Sequence, residues 1–179
     1  MIEKYAVNGN EMILLGFGLD DNQETKNIIL SNAKLMSVLF QEMLPSMIKK
    51  LISKETKGHD FVDCHDNQYE MKNATNSGGY AANLRESRHV GSGGKKRSRF
   101  NPSEDCDYYL DHKWDSDSFY YIITDIRNPP EIKIYIAPVK ELLLHDLINL
   151  NCNEGFGCIK QKDMPKLDDI AVSHCIATT

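Results

Sequence analysis

The sequence lacks any long apolar run. None approaches the roughly 20 consecutive apolar residues that a membrane-spanning helix needs. Residues 1–4 also lack the basic and apolar regions of a signal peptide. We therefore expect a protein that has no membrane segment and that resides in the cytoplasm.

Paired cysteine motifs are absent too. The five cysteines form no Cys-x-x-Cys pair, and their odd number argues against a disulfide framework. We expect free thiols that pack as small apolar residues. A zinc site is the alternative, although the spacing matches no standard zinc pattern; its candidate ligands would be Cys152, Cys158, His174 and Cys175.

Positive charge is scarce overall and concentrated in one segment. The chain has 21 Lys and Arg against 26 Asp and Glu, which gives a net charge of −5. Residues 78–100 hold six cations and one glutamate, a local charge of +5, which leaves −10 for the rest of the chain. Such segregation suits a protein that meets a polyanion on one face and repels it elsewhere.

The length of 179 residues and the hydrophobic content of 41% predict one globular domain with its own core. The segment 1–19 predicts only a short hairpin or an irregular arm. A helical pattern follows, which Pro45 interrupts or kinks and which we expect to continue to Lys54. Its methionine-rich stripe favours packing against a sheet, with a dimer interface as the alternative.

The second half of the chain alternates strand and helix signals. Residues 119–124 form a continuous apolar run that is typical of a central strand covered on both faces. After a turn at residues 128–130, alternating isoleucines predict the next strand. Pro138 suits the first turn of a helix whose apolar face extends to Leu150. These elements predict an α/β fold of the mixed α+β kind.

One run, residues 58–72, combines charged groups with a strand pattern. Polar and apolar residues alternate over 68–72, so Glu70 and Lys72 would share one strand face, about 7 Å apart. A turn signal precedes this strand, and a short strand before the turn would complete a hairpin whose open end brings Asp60 towards Glu70. Two carboxylates and one lysine would then converge.

These three side chains suit a hard divalent cation. Mg²⁺ takes oxygen ligands and is usually held by one or two carboxylates, with water and substrate phosphate in the other positions. Asp60 and Glu70 would be the ligands, and the ammonium of Lys72 would orient a water molecule for phosphodiester hydrolysis. The alternative is a solvated strand face, since an acid two residues before a lysine is common by chance.

Around these residues the chain resembles the type II restriction endonucleases of the PD-(D/E)xK superfamily. The PvuII-type enzymes among them also have an aspartate ten residues before a Glu-x-Lys pair, and the similarity continues through residues 119–147 and, more weakly, 163–172. The resemblance implies a restriction-endonuclease-like central mixed β-sheet flanked by helices over residues 1–179. It also implies Mg²⁺ as the cofactor and a homodimer, joined through the helical segment of residues 1–55, that cuts double-stranded DNA at a short palindromic site.

The segment 77–103 is rich in Gly, Ser, Asn and Arg, and its length and charge favour a DNA-contacting loop. Its glycines follow no strand and form no nucleotide-binding fingerprint. Residues 98–102 resemble the PvuII-type segment that touches bases ahead of an Asn-Pro pair, and Lys166 suits a phosphate contact. The predicted DNA contacts are Arg85, Arg88, Lys95, Lys96, Arg97, Ser98, Arg99, Asn101 and Lys166.

The sequence leaves two points open. Arg97 and Arg99 suit either guanine in the major groove or phosphates alone. Asp60, Glu70 and Lys72 would serve equally in a structure-specific nuclease, such as a junction resolvase or a repair enzyme. We call residues 78–100 the basic segment. By itself it would serve a non-catalytic DNA-binding module, in which Glu70 and Lys72 form a simple ion pair.

Replacing Arg97 and Arg99 together by alanine should weaken DNA binding and flatten its salt dependence. Each phosphate contact that is lost reduces the number of counterions released, so the slope of log K against log salt should become shallower by about 1 per contact. Dissociation constants measured over a series of salt concentrations give this slope. An unchanged slope would show that the segment does not contact the DNA phosphates.

Overall fold

The computed structural model describes residues 1–18, 22–56, 59–76, 79–85 and 106–176. Its strands are β1 (Glu3–Asn8), β2 (Ile52–Thr56), β3 (His59–Val62), β4 (Gln68–Ala74), β5 (Tyr80–Asn83), β6 (Phe119–Asn128), β7 (Glu131–Pro138), β8 (Cys158–Lys160) and β9 (Val172–His174). Its helices are α1 (Gly9–Phe17), α2 (Gln23–Ser31), α3 (Ala33–Met47), α4 (Val139–Leu144) and α5 (Met164–Ile170). Within these ranges, no helix is both long and apolar enough to cross a bilayer.

The main sheet joins seven of the described strands in the order β2-β3-β4-β6-β7-β1-β9. β4 pairs with β6 in parallel, as does β1 with β9, whereas the other neighbours are antiparallel. β5 and β8 form a separate antiparallel ladder, so Tyr80–Asn83 are a strand, and the prediction of a loop throughout 77–103 is wrong for these residues. The predicted mixed α+β fold, with a mixed sheet flanked by helices, is therefore confirmed.

β6 is the central strand that its apolar run predicts. It pairs with β4 on one side and with β7 on the other. Tyr121 and Ile123 enter the core on one face of the sheet, while Ile122 and Ile126 enter the core on the opposite face. A strand covered on both faces buries every side chain, which is why its sequence is continuously apolar rather than alternating.

Helices α1, α2 and α3 cover one face of the sheet. Met36, Leu39 and Phe40 of α3 pack in one cluster with Phe61 and Tyr69 of the sheet. The prediction that the methionine-rich stripe packs against a sheet is thereby confirmed. The opposite face is covered by α4, α5 and the β5–β8 ladder.

The amino-terminal prediction of a hairpin or an irregular arm is wrong. The structure has strand β1, paired along its length with β7, and then α1. The Asn8 side chain accepts a hydrogen bond from the Asn10 N–H at 2.9 Å and so caps α1. Gly9 fits this junction because a Cβ there would lie 2.5 Å from Leu30 Cδ2. The strand was missed because its partner lies in the distant half of the chain.

The long helix predicted to reach Lys54 is two helices and a strand. Asn32 separates α2 from α3, since its Oδ1 accepts from two backbone N–H groups of the next turn at 3.1 and 3.2 Å. Pro45 lies inside α3 without ending it. Ile52–Thr56 then pair with β3 as strand β2, so the prediction of helix up to Lys54 is wrong. Sheet pairing outweighs the local helical spacing there.

Helix α4 ends at Leu144, earlier than the predicted Leu150. Asp146 takes a left-handed φ of 52°, and the Leu147 N–H donates to the Leu142 carbonyl at 2.9 Å. This is the hydrogen bond of a Schellman motif, which closes a helix and turns the chain back on itself. Leu147 is buried as a result, whereas Leu150 is 47% exposed.

Two cysteines are bonded, contrary to the expected free thiols. Cys106 and Cys152 form a disulfide, while Cys64, Cys158 and Cys175 are free. The partners are 46 residues apart, a separation that no local spacing reveals. The bond also removes Cys152 from the alternative zinc site, which the structure does not support.

The β3–β4 turn is built around one buried carboxylate. Asp63 is 7% exposed and accepts four hydrogen bonds of 2.8–3.0 Å, from the backbone N–H groups of His65 and Asn67, the Asn67 amide and the Tyr69 hydroxyl. Burial raises the pKa of Asp63, but the four donors outweigh burial and lower the pKa to about 2. Asp66 has a left-handed φ of 59°, so the predicted turn is confirmed.

We expect Asp63→Asn to lower the free energy of unfolding by about 1–2 kcal/mol near neutral pH, after allowance for solvent screening. The pKa of Asp63 is lower in the folded than in the unfolded chain, so this stability is present above about pH 4 and is lost as the pH falls towards 2. Urea unfolding of the wild type and the variant across this pH range measures the difference in their free energies of unfolding. This difference should disappear at acid pH.

Asp66→Asn is the matched control, because Asp66 is an exposed aspartate in the same turn and asparagine also tolerates its left-handed backbone. This variant should unfold with a free energy close to that of the wild type. A difference between Asp63→Asn and the wild type that stayed constant down to about pH 2.5 would contradict the proposed role of the charge.

Candidate active site

The two strands of the hairpin separate at Asp60. β3 and β4 pair at Phe61 and Tyr69. At the next position, where Asp60 would face Glu70, the strands diverge and β3 follows the edge strand β2. We call this gap, bounded by Asp60, Glu70 and Lys72, the β3–β4 notch.

The Asp60 carboxylate takes the place of a strand partner in the notch. Its Oδ2 accepts a hydrogen bond of 2.7 Å from the Met71 N–H, and Met71 lies between Glu70 and Lys72 on β4. Its Oδ1 lies 3.4 Å from Nε2 of Gln41 on α3. A backbone N–H beside a broken ladder needs an acceptor, and the carboxylate supplies it. The structure thus places Asp60 beside the Glu-x-Lys pair.

Glu70 and Lys72 lie side by side on one face of β4. The Lys72 Nζ donates to Glu70 Oε1 at 2.5 Å, and the Lys72 and Glu70 side chains are 18% and 11% exposed respectively. Met71, between them, is buried in the opposite core. Because water is largely kept away, these charges attract each other more strongly than a surface pair does. A partly shielded ammonium of this kind can hold a water molecule or a phosphate oxygen.

The neighbours across the parallel ladder are buried and mostly apolar. Glu70 lies opposite Tyr121 and Lys72 lies opposite Ile123, and both β6 residues are fully buried. Paired residues of adjacent strands project to the same face. The charged groups of the notch therefore stand beside a dry surface, where electrostatic interactions are stronger than in water.

Helix α3 is attached to β4 by polar contacts. The Asn73 amide donates to Ser37 Oγ at 2.7 Å, and the Thr124 hydroxyl of β6 donates to Asn73 Oδ1. Gln41, one helical turn beyond Ser37, reaches Asp60. We call Ser37 and Gln41 the α3 polar seam. The seam ties the helical layer to the strand that carries Glu70 and Lys72.

Ser37 and Gln41 were not among the residues that the sequence predicted for the site. They are four residues apart beside an apolar stripe, so their spacing indicates that both lie on one face of the helix. The spacing cannot name the partners, because Asn73 lies 36 residues from Ser37 and Asp60 lies 19 residues from Gln41.

Two of the predicted DNA contacts lie within the described residues. Arg85 lies against Gly157, and its Nε donates to Asn83 Oδ1 at 3.3 Å. Lys166 is exposed on α5 and donates to the His145 carbonyl oxygen. These contacts link neither residue to the notch. The other predicted contacts lie outside the described residues: Arg88, Lys95, Lys96, Arg97, Ser98, Arg99 and Asn101.

Asp60 and Glu70 are the carboxylates of the notch that could hold a cation. In the described part of the chain, no group of three or more His, Cys, Asp or Glu residues is arranged to bind a metal. Mg²⁺ needs no such group, because it keeps several waters and takes one or two carboxylates. Both donors to Asp60 are neutral amides, so its negative charge is not cancelled by them. The donor set therefore fits Mg²⁺.

No family model, no curated protein and no solved structure matches this chain. The resemblance to the PD-(D/E)xK nucleases therefore stays a prediction from the sequence.

Proposed function

We propose that this chain is a Mg²⁺-dependent type II restriction endonuclease of the PD-(D/E)xK superfamily, which hydrolyses double-stranded DNA at a short palindromic site in the cytoplasm. One observation carries the proposal: the Asp60 carboxylate binds the N–H group that lies between Glu70 and Lys72. Two acids and a lysine are thereby held at one gap between strands. Two carboxylates suit the metal ion of metal-assisted phosphodiester hydrolysis, and a lysine beside them suits its attacking water.

Asp60 and Glu70 would hold the metal ion. When bound there, Mg²⁺ would stabilise the negative charge that develops on the oxygens of the scissile phosphate. Asp60 is oriented by the Met71 N–H at 2.7 Å, and this neutral donor leaves the carboxylate charge for the cation. Glu70 would hold the cation beside its existing ion pair with Lys72.

Lys72 would position the attacking water. An ammonium has three N–H donors, and one of them is given to Glu70 Oε1 at 2.5 Å. The other two would hold the water and a phosphate oxygen. The water would give up a proton to solvent, favoured by the nearby positive charge of Lys72, and its oxygen would form a bond to phosphorus. The P–O ester bond on the opposite side would break, and the leaving oxygen would take up a proton from solvent.

The helical layer supports the homodimer component of the proposal. Six large apolar side chains of α1, α2 and α3 are exposed by 38–77%, an arrangement that water does not favour. They are Leu14, Leu15, Phe17, Ile28, Leu35 and Val38. A two-fold dimer would present the same side chains to each half of a palindromic site. The basic segment, with its local charge of +5, would supply the DNA contacts.

A non-catalytic DNA-binding module is the second candidate. The 2.5 Å ion pair between Lys72 and Glu70 favours it, since a lysine engaged by its neighbour can be purely structural. In that case the notch would bind no substrate phosphate, and the basic segment alone would account for DNA binding.

Incubation of the purified protein with phage or plasmid DNA and Mg²⁺ should give discrete bands. Lys72→Ala should lower the cleavage rate by about 10²–10⁴-fold, because the positioned water is lost, while DNA affinity persists. Timed digestion and gel-shift titration measure the two quantities. Binding without cleavage by the wild type would favour the non-catalytic module, and cleavage of branched substrates alone would indicate a structure-specific nuclease.

Lys140→Ala is the matched control for Lys72→Ala. Lys140 also forms a close ion pair, 2.7 Å from Asp117, but it lies on α4 and is 44% exposed. Its removal should leave the cleavage rate near that of the wild type. Cleavage by Lys72→Ala at the wild-type rate would show that the assignment of this lysine is wrong.

Leu15→Glu combined with Val38→Glu should dissociate the proposed dimer. Leu15 is 77% exposed and Val38 is 50% exposed, and each charge buried at an apolar interface costs about 2 kcal/mol or more. Light scattering after gel filtration gives the mass of each species. Leu144→Glu is the control, since Leu144 is 75% exposed on α4. A monomeric wild type, or a double variant that stays dimeric, would contradict this interface.

A further inference from the structure

Gln41 is a partly buried polar side chain of α3, beside the apolar residues that this helix buries. It lies half-buried on α3, and its neighbours Leu39, Phe40 and Leu44 belong to the core under the sheet. Ordering a long amide beside a core is unfavourable unless the amide finds a partner. The partner of its Nε2 is Asp60 Oδ1, at 3.4 Å.

The two contacts of Asp60 differ in kind. The Met71 N–H is part of the β4 backbone and holds Oδ2 at 2.7 Å. The Gln41 amide is carried by a flexible side chain and stands at 3.4 Å from Oδ1. Hydrogen bonds to catalytic groups are often long in the free protein and shorten when ligands bind. One oxygen of Asp60 is therefore fixed, and the other has an adjustable donor.

The position of Gln41 on α3 is set by the other residue of the polar seam, Ser37. Ser37, one turn earlier on α3, is bonded to the Asn73 amide of β4 at 2.7 Å. α3 is thus held by one contact to Asn73 of β4 and one to Asp60 of β3, and Asp60 in turn accepts from the Met71 N–H of β4. These contacts direct the Gln41 amide towards Oδ1 of Asp60.

We propose that Gln41 is a positioning residue that fixes the orientation of the Asp60 carboxylate and so sets the affinity of the notch for a divalent cation. A neutral amide orients the carboxylate without cancelling its charge, whereas a lysine or an arginine at this place would compete with the cation. The inference rests on one part of the proposed function, the binding of a metal ion at the notch. It adds α3 to the elements that build the site.

The test is a titration with MgCl₂ in the absence of DNA. The NMR chemical shift of the Met71 amide is measured at each step. This amide touches Asp60 directly, so its chemical shift reports binding at the notch itself. Gln41→Met keeps the length and apolar packing of the side chain but cannot donate. We expect it to weaken Mg²⁺ binding about 10-fold or more, as loss of a carboxylate-orienting donor does at other metal sites.

Gln23→Ala is the matched control. Gln23 is also a helical glutamine whose Nε2 donates to a side-chain oxygen, that of Asn27 at 3.0 Å, but it is exposed on α2. Its loss should leave Mg²⁺ affinity unchanged. Gln41→Ala, measured beside Gln41→Met, separates the lost hydrogen bond from lost packing, because both variants should weaken binding equally.

The outcomes separate this inference from the proposed function. Wild-type Mg²⁺ affinity in a folded Gln41→Met variant overturns the inference, even if its melting temperature falls. A wild type that binds Mg²⁺ at the Met71 signal but never cuts DNA sinks the nuclease proposal, while a weakened Gln41→Met variant still supports the role of Gln41. A wild type whose Met71 signal does not respond to Mg²⁺ overturns both.

Discussion

The Asp63 carboxylate fixes the register of β3 against β4, and the whole notch depends on that register. Its four donors hold the turn, so that Asp60 falls opposite Glu70. Side chains of a strand alternate between faces, so a slip of one residue would carry Glu70 and Lys72 into the helical core and bring Met71 out of it. The geometry proposed for catalysis is therefore set by a group that takes no part in the chemistry.

The remaining layers hold this hairpin from two directions. The parallel ladder with β6 gives Glu70 and Lys72 buried neighbours on their own face of the sheet. On the other face, α3 packs its apolar stripe into the core and bonds to β4 through Asn73. The described portion of the site is therefore built on strands and a helix, which hold side chains more firmly than loops do.

The sequence predicted those elements of the fold whose pattern is local. The hairpin at the notch, β6 and the following strand were found because alternation or continuous apolar character lies within a few residues. β2 was missed because its pairing with the following strand, β3, overrode the helical spacing of the residues before it. β1 was missed because its partner, β7, lies in the distant half of the chain. Gln41 was missed for the same reason, since its partner Asp60 lies on another element. The disulfide between Cys106 and Cys152 is equally a product of tertiary proximity.

The bond between Asp60 and the Met71 N–H gives a structural role in the sheet to the same side chain that is proposed to bind the metal. Lys72 has no comparable duty towards the backbone of the sheet, because its described partner is the Glu70 side chain. Loss of Asp60 would leave the Met71 N–H without this acceptor, and loss of Lys72 would leave the largely buried Glu70 carboxylate without its ion-pair partner. The folded chain itself therefore holds the three side chains of the notch together.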